Sequence, residues 1–292
     1  MTEEKQAEYE SEYEKLLALF IALLKNRKND QMVESLYELS ELRAKYLIMH
    51  ALDGFGIDVE EAVQLLKSKG DDTLTQYDKD RTDRIVAAIS NLIPFAVAAE
   101  YHLWLDTTEM LDDEDEDEDE EDEDEEIDFD SEDFEKLKSK CEKYNKKFAI
   151  VENEDVRYAM SLAAWWIGVG KNDYLMYMTQ GDDRVRPWHA ALEGFSARRD
   201  DFPSWMIPPI EWGCRCFLIN VSGDVVENNA DLHNVMAKTP VKPAQFNEIF
   251  SESVCKCGKI FGDAHPYFEI KQEHFEMLNG FVERLMEKWN AK

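Results

Sequence analysis

Through the first hundred residues, apolar side chains return every three or four positions, the period of an α-helix with one face turned to a core. Leu16, Leu17, Phe20, Ile21, Leu23 and Leu24 form a first stripe that stops at the polar cluster from Asn26 to Asp30. Met32, Leu36, Leu39, Leu42 and Leu47 predict a second helix over Gln31 to Leu52, halted by Gly54 and Gly56. Asp58 can cap a short third helix carrying Val59, Ala62, Val63, Leu65 and Leu66, closed by Gly70. A fourth is predicted from Thr73 to Leu105, bent or broken at Pro94, where the ring removes a backbone donor and crowds the preceding turn. Four helices with short connections favour an antiparallel bundle.

The pattern changes after residue 133. Phe134 to Tyr144 reads as helix, Lys147 to Val151 (KFAIV) as a short β-rich run, and Glu154 to Ile167 as an apolar helix stopped by Gly168 and Gly170. Tyr174 to Thr179 has strand character and leads into a turn at Gly181 to Arg186. One or two helical turns fit Arg186 to Leu192, and a long loop from Gly194 ends in a predicted strand over Cys214 to Val221. An amphipathic helix over Phe275 to Trp289 closes the chain. Strands set among helices and irregular loops predict an α+β fold in this half.

Charge separates the halves. The net charge is -31 over 292 residues, and residues 112 to 126 are fifteen consecutive acids, followed by Asp128, Asp130, Glu132 and Asp133. Such a run has nothing apolar to bury and repels itself, so residues 111–133 are expected to be a disordered, solvated linker between a helical domain at 1–110 and a mixed domain at 134–292. The remainder is still acidic, which weighs against a general phosphate-binding surface. A hydrophobic share of 44% with 11% aromatic is globular composition. The N-terminus lacks the basic start and apolar core of a secretory signal, and no uninterrupted apolar run approaches the roughly 18 residues of a membrane span, so no membrane partner and a cytoplasmic synthesis are expected. Five cysteines, an odd number without a signal peptide, suggest reduced thiols.

Candidate chemistry concentrates in residues 179 to 216, which hold Asp182, Asp183, Arg184, Arg186, His189, Cys214, Arg215 and Cys216, punctuated by Gly181, Gly194, Pro209 and Gly213. Imidazole and thiolate are the usual zinc ligands. Cys214 and Cys216, two apart on a strand, would point to one face. His189, Cys214 and Cys216 are therefore candidate zinc ligands, with Asp182, Cys255, Cys257 or His265 as a candidate fourth; the alternative is reduced structural thiols beside a hydrogen-bonded histidine. Asp183, Arg184 and Arg186 read as an ion-paired turn in preference to a phosphate anchor. In that reading Asp182 or Asp183 caps the helix beginning near Pro187, and an arginine reaches back to Asp200 or Asp201. No nucleophile elbow, Gly-rich phosphate loop or His-Glu-x-x-His helix is present, so no catalytic residues are assigned. Trp188 and Trp205 are candidate interface anchors, since tryptophan is enriched among binding hot spots.

The succession Asp-Asp-Arg-Val-Arg-Pro, His-Ala-Ala-Leu-Glu-Gly, Pro-Pro and Trp-Gly-Cys-Arg-Cys resembles the Mu F-like minor head protein family, the phage head morphogenesis domain, over about 146–250 with its core at 179–220. Asp182, Asp183, Arg184, Arg186, Gly194, Pro209, Trp212, Gly213 and Arg215 carry that signature. The resemblance implies a non-enzymatic virion protein in the capsid interior. It would assemble in the host cytoplasm with the portal and the procapsid or scaffold proteins, touch packaged DNA only indirectly, and leave with it on ejection. An enzyme or toxin-like effector, or a zinc-dependent regulator using His189, Cys214 and Cys216, is the competing reading.

Overall fold

The protein, seen here as a computed structural model, is described over residues 2–115, 131–222 and 241–290. Most of the acidic run, and with it the expected linker, lies outside the described residues. Its flanks are helical: α4 continues to Asp115 and α5 begins at Glu132.

Four helices occupy the N-terminal part: α1 (Glu3–Lys25), α2 (Met32–Phe55), α3 (Val59–Lys67) and α4 (Gln76–Asp115). Thr2 caps α1 by accepting from Lys5 N–H, and Asp58 caps α3 by accepting from Glu61 N–H, as its position in the sequence predicts. α4 departs from expectation because it runs unbroken through Pro94. Leu92, Ile93, Phe95, Ala96, Val97 and Ala98 around the proline are all buried. That packing outweighs a helix penalty of roughly 3 kcal/mol. A window of α4 is long and apolar enough to cross a bilayer by composition, contrary to the reading of its runs as too interrupted, but most of that window is buried within the protein.

The predicted β-run at 147–151 is helix. Ser131 caps α5 (Glu132–Glu142) by accepting from Phe134 N–H, a π-helical segment follows over Lys143–Phe148, and α6 (Ala149–Ile167) continues directly. Phe134, Leu137, Cys141, Tyr144, Ala149, Asn153, Val156 and Met160 are buried at helical spacing, with one five-residue step from Tyr144 to Ala149 where the π-segment adds a residue. Of that run only Ala149 joins the buried stripe, while Phe148 and Val151 are exposed.

β1 (Tyr174–Met178) is the centre of a small antiparallel sheet, with β2 (Ser196–Arg198) on one side and β3 (Phe217–Val221) on the other. β3 starts at Phe217, three residues later than predicted, which leaves Cys214 and Cys216 in the loop before it. The helices α7 (Pro187–Ala190) and α8 (Phe275–Asn290) complete the fold, which is α+β as read from the pattern.

Two compact units are resolved, and each draws on both sides of the acidic run. The first comprises 1–49, 92–153 and 266–292. Its core holds a buried polar network: Arg43 pairs with Glu152, Tyr267 donates to Glu152 at 3.2 Å, and Asn145 donates to Glu100 at 3.0 Å. Two carboxylates and one guanidinium are thereby enclosed. Burial raises the Glu100 carboxyl to about 7 against the pull of Arg43, and raises Glu152 as well.

The second unit comprises 50–91 and 154–265. The Asn91 side chain accepts from Ile260 and Phe261 N–H, both at 2.9 Å, and donates to Phe261 O at 2.8 Å, so one amide pins the C-terminal loop as a strand neighbour would. Arg84 holds the same loop by donating to Cys255 O at 3.0 Å. Gly54 lies so close to Arg157 that a Cβ there would stand 2.1 Å from its carbonyl oxygen.

Candidate functional site

The site lies wholly in the second unit, where α7 and the loop before β3 meet. Gly194 N–H donates to Tyr177 O and Tyr177 N–H to Phe195 O, both at 2.8 Å, fastening the chain after α7 onto β1. Gly181, Gly194 and Gly213 adopt positive φ of 65°, 83° and 63°, a backbone that a side chain would strain. After the cis Pro208–Pro209 peptide, Gly213 N–H donates to the buried Asp155 carboxylate at 3.1 and 3.0 Å. Tyr158 O–H donates to Cys216 O. The Cys-x-Cys segment is therefore anchored to α6 at both ends.

This brings His189, Cys214 and Cys216 together, all three buried, with one ligand-type atom from each within 4.8 Å of the others. Nδ1 of His189 is 3.3 Å from Cys216 Sγ and 3.8 Å from Cys214 Sγ. Its Nε2 is 3.2 Å from the Glu211 carboxylate. Arg186 holds Glu211 through Nε at 3.0 Å and donates to Trp212 O at 2.8 Å. The two thiols act on each other: their shared hydrogen bond, helped by Tyr177, Arg186 and Arg215, lowers Cys216 to about 7, while the same bond and burial push Cys214 up.

Other predicted residues lie around this centre in different roles. Asp182 accepts a two-pronged hydrogen bond from Arg215 at 2.9 and 2.8 Å, and that pair lowers the Asp182 carboxyl. Asp182 therefore does not cap α7, whose N-cap is Arg186 and has no side-chain cap bond. The arginine expected to cross to Asp200 or Asp201 turns to Glu211 instead, and Asp200 is met by its neighbour Arg199 at 3.1 Å. Asp183 and Arg184 are exposed on the turn. Cys255 is buried beside Arg84 and Cys257 is exposed with Arg84 Nη1 3.1 Å from its sulfur; neither belongs to the His189 group. His265 packs edge-on against Trp212, at 5.6 Å between ring centroids.

Trp188 and Trp205 are half-buried, and both set their rings against Phe246, at 6.2 and 5.5 Å. Glu211, Tyr177 and Asp155 were not among the residues singled out by sequence. The signal for Glu211 was its place three residues before Cys214, a carboxylate beside a thiol pair. Nothing local marks Tyr177 or Asp155, which reach the site through the sheet and α6.

Residues 131–219 match the family model described as "Phage Mu protein F like protein". The match opens at the cap of α5 and closes within β3, so it starts and stops earlier than the motif-based bounds of 146 and 250. The Mu-like prophage FluMu F protein of Haemophilus influenzae is 42% identical over 62 residues, covering 20% of this chain and 14% of that protein. The matched part is thus about one seventh of that relative's length. No solved structure matches.

Proposed function

We propose, from the match of residues 131–219 to the Mu F-like family model, that this chain is a structural, binding component of a phage head. In this reading it enters the procapsid by docking on the portal and on scaffold or shell proteins, resides in the capsid interior after assembly in the host cytoplasm, and leaves with the DNA. The observation that supports the proposal is that the part of the matched segment lying in the second unit, 154–219, carries loop backbone tied down by side chains. From α6 to β3, loop backbone is tied down by Asp155, Tyr158, Arg186 and Gln180, the last donating to Arg215 O at 2.9 Å. A surface held that firmly loses little conformational freedom on docking, which favours binding.

Charge supports protein over DNA as the direct partner. At -31, the chain is repelled by phosphates, and Arg186 and Arg215 at the site are engaged by Glu211 and Asp182. The test is co-sedimentation of the full chain with assembled cognate portal oligomers at low and moderate salt. Stoichiometric co-sedimentation supports the reading; recovery of all the chain in the supernatant, with folded protein and intact portal, removes it.

A further inference from the structure

We propose that His189 Nδ1, Cys214 Sγ and Cys216 Sγ form a tetrahedral zinc-class metal site whose fourth position is taken by water and whose histidine is oriented by Glu211. The inference is independent of the head assignment, because it rests on the donor geometry alone.

Zinc bonds of about 2.3 Å to sulfur and 2.0–2.1 Å to nitrogen at tetrahedral angles place S and N about 3.6 Å apart. The two S···N separations here, 3.3 and 3.8 Å, bracket that value. Two thiols and an imidazole are a borderline-soft set that selects zinc over magnesium or calcium. The burial is also of the right kind, since all three donors lie inside.

Two further observations point to a ligand. Metal-bound histidines pass their other ring nitrogen to a carboxylate, which fixes the tautomer and raises the basicity of the ligand. His189 does so: with Nδ1 on the sulfurs, Nε2 lies on Glu211, which Arg186 locks in place. In addition, the buried Tyr177 hydroxyl is directed at the Cys216 sulfur. A metal-bound thiolate at Cys216 would accept from that hydroxyl. Beside the group is a cavity of about 20 Å³ lined by His189, Cys216 and the arginines Arg184, Arg186 and Arg215, large enough for one water. One water needs at least about 10–15 Å³.

The experiment uses the full chain, purified reduced and without chelator. Elemental analysis is expected to find close to one zinc per chain. Replacement by cobalt is expected to give the intense visible bands of a tetrahedral ion together with thiolate-to-cobalt charge-transfer absorption. Cys216→Ser should abolish the charge transfer of that sulfur, Cys257→Ser should leave the spectrum unchanged, and Glu211→Gln should keep the spectrum but weaken cobalt binding about 10- to 100-fold. Should Cys216→Ser fail to fold, alkylation of the wild-type chain replaces it: Cys214 and Cys216 are expected to be protected with zinc and modified after chelation. Absence of both stoichiometric zinc and thiolate–cobalt absorption after equilibration with the metals overturns the proposal. So does a spectrum that survives Cys216→Ser, or alkylation of Cys214 and Cys216 that zinc does not alter.

Discussion

Glu211 stands 3.2 Å from Nε2 of His189 and 3.0 Å from Nε of Arg186, so one carboxylate couples the arginine turn to the histidine that faces the two sulfurs. The arginine of the signature is thereby connected to the thiols without touching them. Removing the carboxylate leaves a buried imidazole nitrogen without its acceptor. Glu211→Ala should lower stability by about 1–3 kcal/mol, measured by urea unfolding of the metal-free protein. An unchanged midpoint would show that Glu211 carries no structural load.

The Arg43–Glu152 pair is enclosed, with side chains only 1% and 5% exposed. Breaking it from one side strands a charge, and Arg43→Met alone should cost about 3–5 kcal/mol, while the double change Arg43→Met with Glu152→Met should recover most of that loss. Chemical denaturation of the three variants makes the comparison. Additive losses in the double variant would contradict this account of the pair.

Glu100 sets a pH dependence. Its buried carboxyl is raised from 4.5 to about 7 by desolvation, with Arg43 and Asn145 pulling it down and Glu152 pushing it up. The native chain therefore keeps a proton that the unfolded chain has lost between those values. Native protein binds more protons there, so stability falls as pH rises from about 4.5 to about 7 and levels off above. The loss is on the order of 3 kcal/mol at most. Glu100→Gln should flatten this window in urea midpoints taken at half-unit pH steps. A wild-type stability that rises across it would contradict the assignment.

Two helical glycines should answer alanine in opposite directions. At Gly280, in α8, a Cβ meets nothing within 4 Å, so Gly280→Ala should stabilise by up to roughly 1 kcal/mol. At Gly54, in α2, the same atom would stand 2.1 Å from Arg157 O, and Gly54→Ala should destabilise by several kcal/mol, on the order of an overpacked core. Thermal unfolding of both variants decides it. A stabilised Gly54→Ala would mean that α2 and Arg157 are less tightly opposed than described.

Much of this was legible in the residues. The helical period of 1–110 and the cap at Asp58 are local signals, and local signals survive into the fold. His189, Cys214 and Cys216 were recognisable by type, yet the reason they converge was different: the strand expected to present both thiols on one face begins only at Phe217, and the loop anchored by Asp155 and Tyr158 does the work instead. KFAIV is ambiguous because a short run with four apolar residues fits a strand or a turn of helix equally well. The π-segment that decided the matter depends on packing on both flanks. Glu211 and Tyr177 escaped because their roles are set by which loop folds over which strand, and no spacing in the sequence encodes that.

The account as a whole is tested most directly by quantitative mass spectrometry of procapsids and mature virions purified from cells in which this chain is expressed during particle assembly. Peptides from residues 131–219 at a fixed, reproducible copy number in procapsids are the predicted result. Abundant chain in the lysate with none in either particle would contradict it.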